Sequence, residues 1–113
     1  MSPSASPLAL CATLLFAAPD YVPNLSVEPG CRAAAKMADG LEPTLQQCLV
    51  DENNARDELD KEWTQYSPAL RQRCVATTLS GRDHSYVEVL VCLRMERDAA
   101  QLESFSTGRG HGH

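Results

Sequence analysis

The segment CLVDENNARDEL, residues 48–59, sets a carboxylate and a guanidinium four residues apart on an otherwise apolar line. Glu52 and Arg56 are spaced i, i+4 with the acid first, the better order for an ion pair along a helix. A charge left alone in a core is strongly destabilising, so these two residues are expected to pair with each other and to fix how helices meet. The chemical reading is that a desolvated Glu52 serves as a general acid or base, or as a ligand. A second glutamate, Glu96, stands in the similar text CLRMERDA. Two glutamates brought together across a pseudo-twofold axis could hold a metal, as in helical bundles. Such sites also use His three residues after Glu, where this chain has Ala55 and Ala99. The terminal HGH, His111 to His113, is the other metal candidate, through its imidazoles. His84 has no Ser or Cys nucleophile arranged with it, and no phosphate loop, zinc-hydrolase motif or nucleotide fingerprint occurs. The residue types therefore predict no catalytic residue, no cofactor and no enzyme.

Thiols are the remaining reactive groups. Five cysteines lie in 113 residues, and Cys11 falls inside the apolar run LALCATLLFAA, residues 8–18. That run is too short to span a bilayer, which takes ~20 residues, but fits the hydrophobic core of a secretory signal. The preceding MSPSASP carries no Lys or Arg, an unusual start for such a signal. Residues 1–18 are read as a signal peptide and 19–25 as a linker. Removal of the signal leaves Cys31, Cys48, Cys74 and Cys92, an even count that favours two disulfides in an oxidising compartment. Intervals of 16, 25 and 17 residues, without a C-x-x-C pair, do not match a structural zinc site.

The elements that hold these residues come from a duplication. CLVDENNA and CLRMERDA share C-L-x-x-E-x-x-A; each follows an earlier cysteine by 16 or 17 residues, with Gly40 or Gly81 between. Each copy reads as two helices around a turn. In the first copy Ser26 is the expected N-cap, Gly40 the stop, and Cys31, Ala34, Ala35 and Ala38 share a face. Thr44 and Gln47 then form a capping box for a helix running to about Tyr66. Leu45, Cys48, Leu49, Glu52, Arg56, Leu59, Trp63 and Tyr66 fall within roughly 60° of one line on it. In the second copy Ser67 caps a helix with Pro68 at its first position, and Ser85 with Glu88 makes another capping box. Tyr86 to Leu93 is apolar nearly all round; its β-branched residues fit a strand, but the repeat favours helix.

An antiparallel hairpin puts Cys74 and Cys92 at similar height, and the duplication extends the pairing to Cys31 with Cys48. Cys31–Cys48 and Cys74–Cys92 are thus the expected bonds. The expected fold is all-α: a four-helix domain of two disulfide-stapled hairpins over residues 26–104. Repeat 1 spans about 26–66, repeat 2 about 67–104, and a disordered tail 105–113.

The duplicated unit, with Ser85 and Tyr86 as an SY pair before the last cysteine, resembles a group of small exported proteobacterial proteins that often carry it twice. The resemblance covers Cys31 to about Leu102; it departs where Thr44 and Leu45 stand in place of SY in the first copy. It implies a fold and a periplasmic or secreted location, and no chemistry, since the group has no assigned activity.

A net charge of −5 with acids and bases interspersed argues against nucleic acid and anionic membrane as partners. The expectation is an exported structural or protein-interaction module whose partner is another periplasmic protein, without stable membrane insertion after signal removal. The alternative is a periplasmic metal-binding protein using Glu52, Glu96 or the histidine tail.

Overall fold

The computed structural model describes residues 20–111, with side chains described through residue 106. The expected signal peptide, residues 1–18, lies outside the described residues. These contain four α-helices and no strand: α1 (Glu28–Ala38), α2 (Leu45–Glu62), α3 (Pro68–Leu79) and α4 (Tyr86–His111). None is long and apolar enough to cross a membrane.

Local chemistry explains the boundaries. Pro29 sits in the first turn of α1, and Val27, rather than Ser26, occupies the N-cap without a side-chain bond. The helix ends where Asp39 (φ 50°) and Gly40 (φ 86°) turn left-handed, a conformation Gly adopts without strain. The Thr44–Gln47 capping box at α2 is complete in both directions. The expected run to Tyr66 stops earlier as α-helix: α2 ends at Glu62 and tightens into a 3₁₀ turn, Trp63–Gln65. Ser67 caps α3 by accepting the Leu70 N–H. The region that allowed a strand is helical throughout, and α4 continues to His111, past the point where a disordered tail was expected. Residues 101–106 contain neither Gly nor Pro to stop it.

Both expected disulfides are present. Cys31–Cys48 joins α1 to α2 and Cys74–Cys92 joins α3 to α4, with Cα atoms 5.4 and 5.7 Å apart. The core lies where α2 and α4 meet, with α3 packed on α4. Leu59, Trp63, Tyr66, Val89, Leu93, Cys74 and Val75 belong to it. The stretch read as a linker reaches into this core: Val22 is buried, Leu25 packs against the cluster as Val27 does just beyond it, and the Leu25 N–H donates to the Tyr86 hydroxyl (2.7 Å).

Of α1, only Cys31 is buried. The helix lies along α2 and touches the second hairpin where Gly30 meets Asp83; a Cβ at Gly30 would stand 2.9 Å from the Asp83 Cβ. The two bonds therefore do different work. Cys31–Cys48 holds a lightly packed helix, whereas Cys74–Cys92 reinforces a helix that also buries Arg71, Val75 and Thr78. Each closes a loop worth ~3 kcal/mol in the chain-entropy model. In hydrogen exchange, Cys31→Ala/Cys48→Ala is expected to unprotect α1 while α2 and α4 stay protected. Cys74→Ala/Cys92→Ala should lower protection throughout the core. Identical exchange patterns for the two variants would contradict this division.

Candidate functional site

The carboxylate that opened the sequence reading is buried, at 6% exposure, and it bonds across the repeats rather than along its own helix. Glu52 projects from the middle of α2 at the first turn of α4. One carboxylate oxygen accepts the Ser85 hydroxyl and the other accepts the Tyr86 N–H, both at 2.6 Å. The Ser85 hydroxyl in turn accepts the Glu88 N–H (3.2 Å), and the Ser85 N–H donates to Thr78 Oγ1 on α3 (3.0 Å). Thr78 thus takes the place that the Glu88 carboxylate holds in a reciprocal capping box. Glu52 acts as a cap supplied from another helix. A negative group at a helix N-terminus meets unsatisfied N–H groups and the positive end of the helix dipole. Charge-assisted bonds of this kind are roughly twice as strong as neutral ones.

The expected Glu52–Arg56 ion pair is corrected by this geometry. Arg56 is exposed, donates to Asn24 Oδ1 (3.0 Å) and lies over the Tyr86 ring, 5.6 Å from its centroid. The helix terminus already satisfies the buried carboxylate, so the guanidinium is left to tie down the segment before α1. Ala55, the alanine of the repeated motif, is the buried residue beside it.

The second copy does not reproduce the site. Glu96 is exposed and pairs with Arg73 at 3.6 Å. Leu59 is fully buried, whereas its counterpart Leu102 is exposed. His84 is half-buried in the turn before α4. The side chains of His111 and His113 lie outside the described residues. Among the described residues no three His, Cys, Asp or Glu side chains cluster as a metal site. An open depression of about 360 Å³ is lined by Glu42, Pro43, Asp51 and the capping-box residue Gln47, and by none of the candidate site residues Glu52, Arg56 and Glu96.

Sequence reasoning missed a second polar cluster, where the end of α2 meets the middle of α4. Glu62 accepts from Arg94 and from the Tyr66 hydroxyl (2.6 Å), and Arg94 also reaches Glu58 (3.4 Å). Arg97 donates to the Tyr66 hydroxyl (3.2 Å) and lies over its ring. The signal for it was a pair of acids, Glu58 and Glu62, at i, i+4 on one helix and a pair of bases, Arg94 and Arg97, at i, i+3 on the other, each pair sharing a helix face. The hydrogen bond from Arg94 outweighs burial and, with the Tyr66 bond and both guanidinium charges, lowers the Glu62 pKa from 4.5 to about 2. Burial and the adjoining carboxylate raise that of Tyr66, keeping its proton as donor. Buried Arg71 donates to the Tyr66 carbonyl (3.1 Å) and lies over Trp63, so the α2–α3 bend is held from inside.

Both cluster and cap find their partners inside the chain. What they do is join helices. Compared with known proteins, the chain matches no family model, no curated relative and no solved structure.

Two expectations separate cap from ion pair and locate the acid limit. Glu52→Ala should cost about 3 kcal/mol of unfolding free energy, for an uncapped α4 and a stranded Ser85 hydroxyl. Arg56→Ala should cost less than about 1 kcal/mol, as an exposed cation over a ring. Equal losses in urea titrations would favour the ion pair. Because folding depresses the Glu62 pKa, its contribution is complete above about 4.5 and disappears as pH falls through about 2. Glu62→Gln should therefore flatten the loss of stability across that interval, and an unchanged acid limb would contradict the assignment.

Proposed function

We propose that the chain is an exported, disulfide-stapled interaction module with no catalysis of its own. The observation that supports this reading is the destination of the one buried carboxylate among the described residues. Glu52 has both oxygens bonded within the protein, so the residue best placed for chemistry is used in folding. The other core polar groups follow suit, Arg71 on the Tyr66 carbonyl and Thr78 on Ser85. Export is supported by two disulfides in a small domain, together with the apolar run at residues 8–18. A periplasmic or secreted protein partner, rather than nucleic acid, fits the acidic surface. The metal-binding alternative gains no specific observation: Glu52 is occupied and Glu96 stands on the surface with Arg73.

Alkylation of the protein from fractionated cells under denaturing, non-reducing conditions tests the reading in one spectrum. The expected species lies outside the cytoplasm, starts after residue 18 and takes up no alkylating agent. A cytoplasmic species with alkylated thiols would overturn export. Saturable, tight metal binding by that oxidised species would overturn the choice of an interaction module over the metal-binding alternative.

A further inference from the structure

The two disulfides close loops of nearly equal length, with sequence separations of 17 and 18, and each joins a buried cysteine to a half-buried one. Neither loop length nor access to sulfur separates them. What separates them is how much else holds each helix in place. With Cys74–Cys92 opened, α3 would keep Val75 and Thr78 buried, the Thr78 bond to Ser85 and the Arg71 bond to the Tyr66 carbonyl. Its thiol would stay facing that of Cys92. With Cys31–Cys48 opened, α1 has no buried residue other than Cys31 itself. Its N-cap Val27 makes no side-chain bond, and the ion pair of Arg32 with Glu28 is exposed and stays within the helix. Eleven residues are too few for a helix to persist alone in water. The more closely a fold holds two thiols together, the higher their effective concentration and the harder their bond is to reduce.

We propose that Cys31–Cys48 is a redox-operated strap: a dithiol reduces it while Cys74–Cys92 stays closed, and α1 then comes away from α2 with the core intact. The dithiol's thiolate attacks the sulfur of half-buried Cys48, and Cys31 leaves as a thiolate. The second thiol of the reductant then displaces Cys48, also as a thiolate. Two electrons pass to the protein, the dithiol ends as a disulfide, and its two protons end on Cys31 and Cys48. Val22 and Leu25 before α1, and the Thr44–Gln47 box after it, keep their contacts, so the freed segment is a loop tethered at both ends. Release uncovers the side of α2 along which α1 lies. The device stands whether or not the chain is an interaction module.

The test uses oxidised protein isolated from cells expressing the full chain. It is equilibrated in mixtures of reduced and oxidised dithiothreitol, quenched by alkylation and mapped cysteine by cysteine by mass spectrometry. Cys31 and Cys48 should reach half-alkylation at a reduced-to-oxidised ratio at least about tenfold below that for Cys74 and Cys92. At a ratio between the two, hydrogen exchange should find α1 unprotected and α2 and α4 as protected as before. Ala33, exposed on α1, supplies the second arm. Ala33→Gly weakens that helix only where it is formed, and should lower the ratio for Cys31–Cys48 about fivefold while leaving Cys74–Cys92 unchanged. Reduction of all four cysteines together, or of Cys74–Cys92 first, would overturn the proposal. So would selective reduction that left α1 protected, or an Ala33→Gly variant that opened at the wild-type ratio.

Discussion

One carboxylate sets the relation between the two halves of this protein. Glu52 leaves α2 at mid-helix and closes the N-terminus of α4, whose chain position is 33 residues later. A helix start offers its donors in one place and one direction, so the bond fixes both the height and the rotation of α4 against α2. Other contacts follow from it. Thr78 joins the Ser85 backbone and brings α3 to the same point, and the Tyr86 hydroxyl, held by its own helix, receives Leu25. The segment before α1 thereby closes over the core instead of trailing as a linker. Burial of an anion is tolerated because two hydrogen-bond donors and a helix dipole take the place of water.

The duplication is one of text and of hairpins, with unequal roles inside it. The same C-L-x-x-E-x-x-A yields a buried cap and a buried alanine in the first copy. In the second it yields an exposed Glu96 and an exposed Ala99. The cause is the SY pair, present only before α4. Glu52 finds a serine hydroxyl and a free N–H there, whereas the start of α2 is already closed by Thr44 and Gln47. A domain so small has limited apolar surface to bury, and the covalent bond inside each hairpin makes up part of the difference.

Much of this was legible in the sequence, and the boundary is physical. Helix starts at Thr44 and Ser67, the left-handed stop at Gly40 and the two cysteine pairings depend on contacts a few residues apart or within one hairpin. Local spacing encodes them. The partner of Glu52 was misread because the nearest opposite charge, Arg56, satisfies the same electrostatic demand on paper. Which of them wins depends on where α4 begins in space, which no local pattern states. The cluster of Glu58, Glu62, Arg94 and Arg97 was hidden for the same reason, although each pair shares a face of its own helix. Val22 was missed because a lone apolar residue among Tyr21, Pro23 and Asn24 has no periodicity to mark it.

The most direct measurement of the central claim is a double-mutant cycle between Glu52→Ala and Ser85→Ala, read by urea unfolding of the oxidised protein. A cap supplied across the repeats predicts a coupling of about 1 kcal/mol or more, because either substitution alone removes most of what the pair contributes. Losses that simply add, to within about 0.5 kcal/mol, would mean that Glu52 and Ser85 do not hold one another, and the proposed junction between the halves would be wrong.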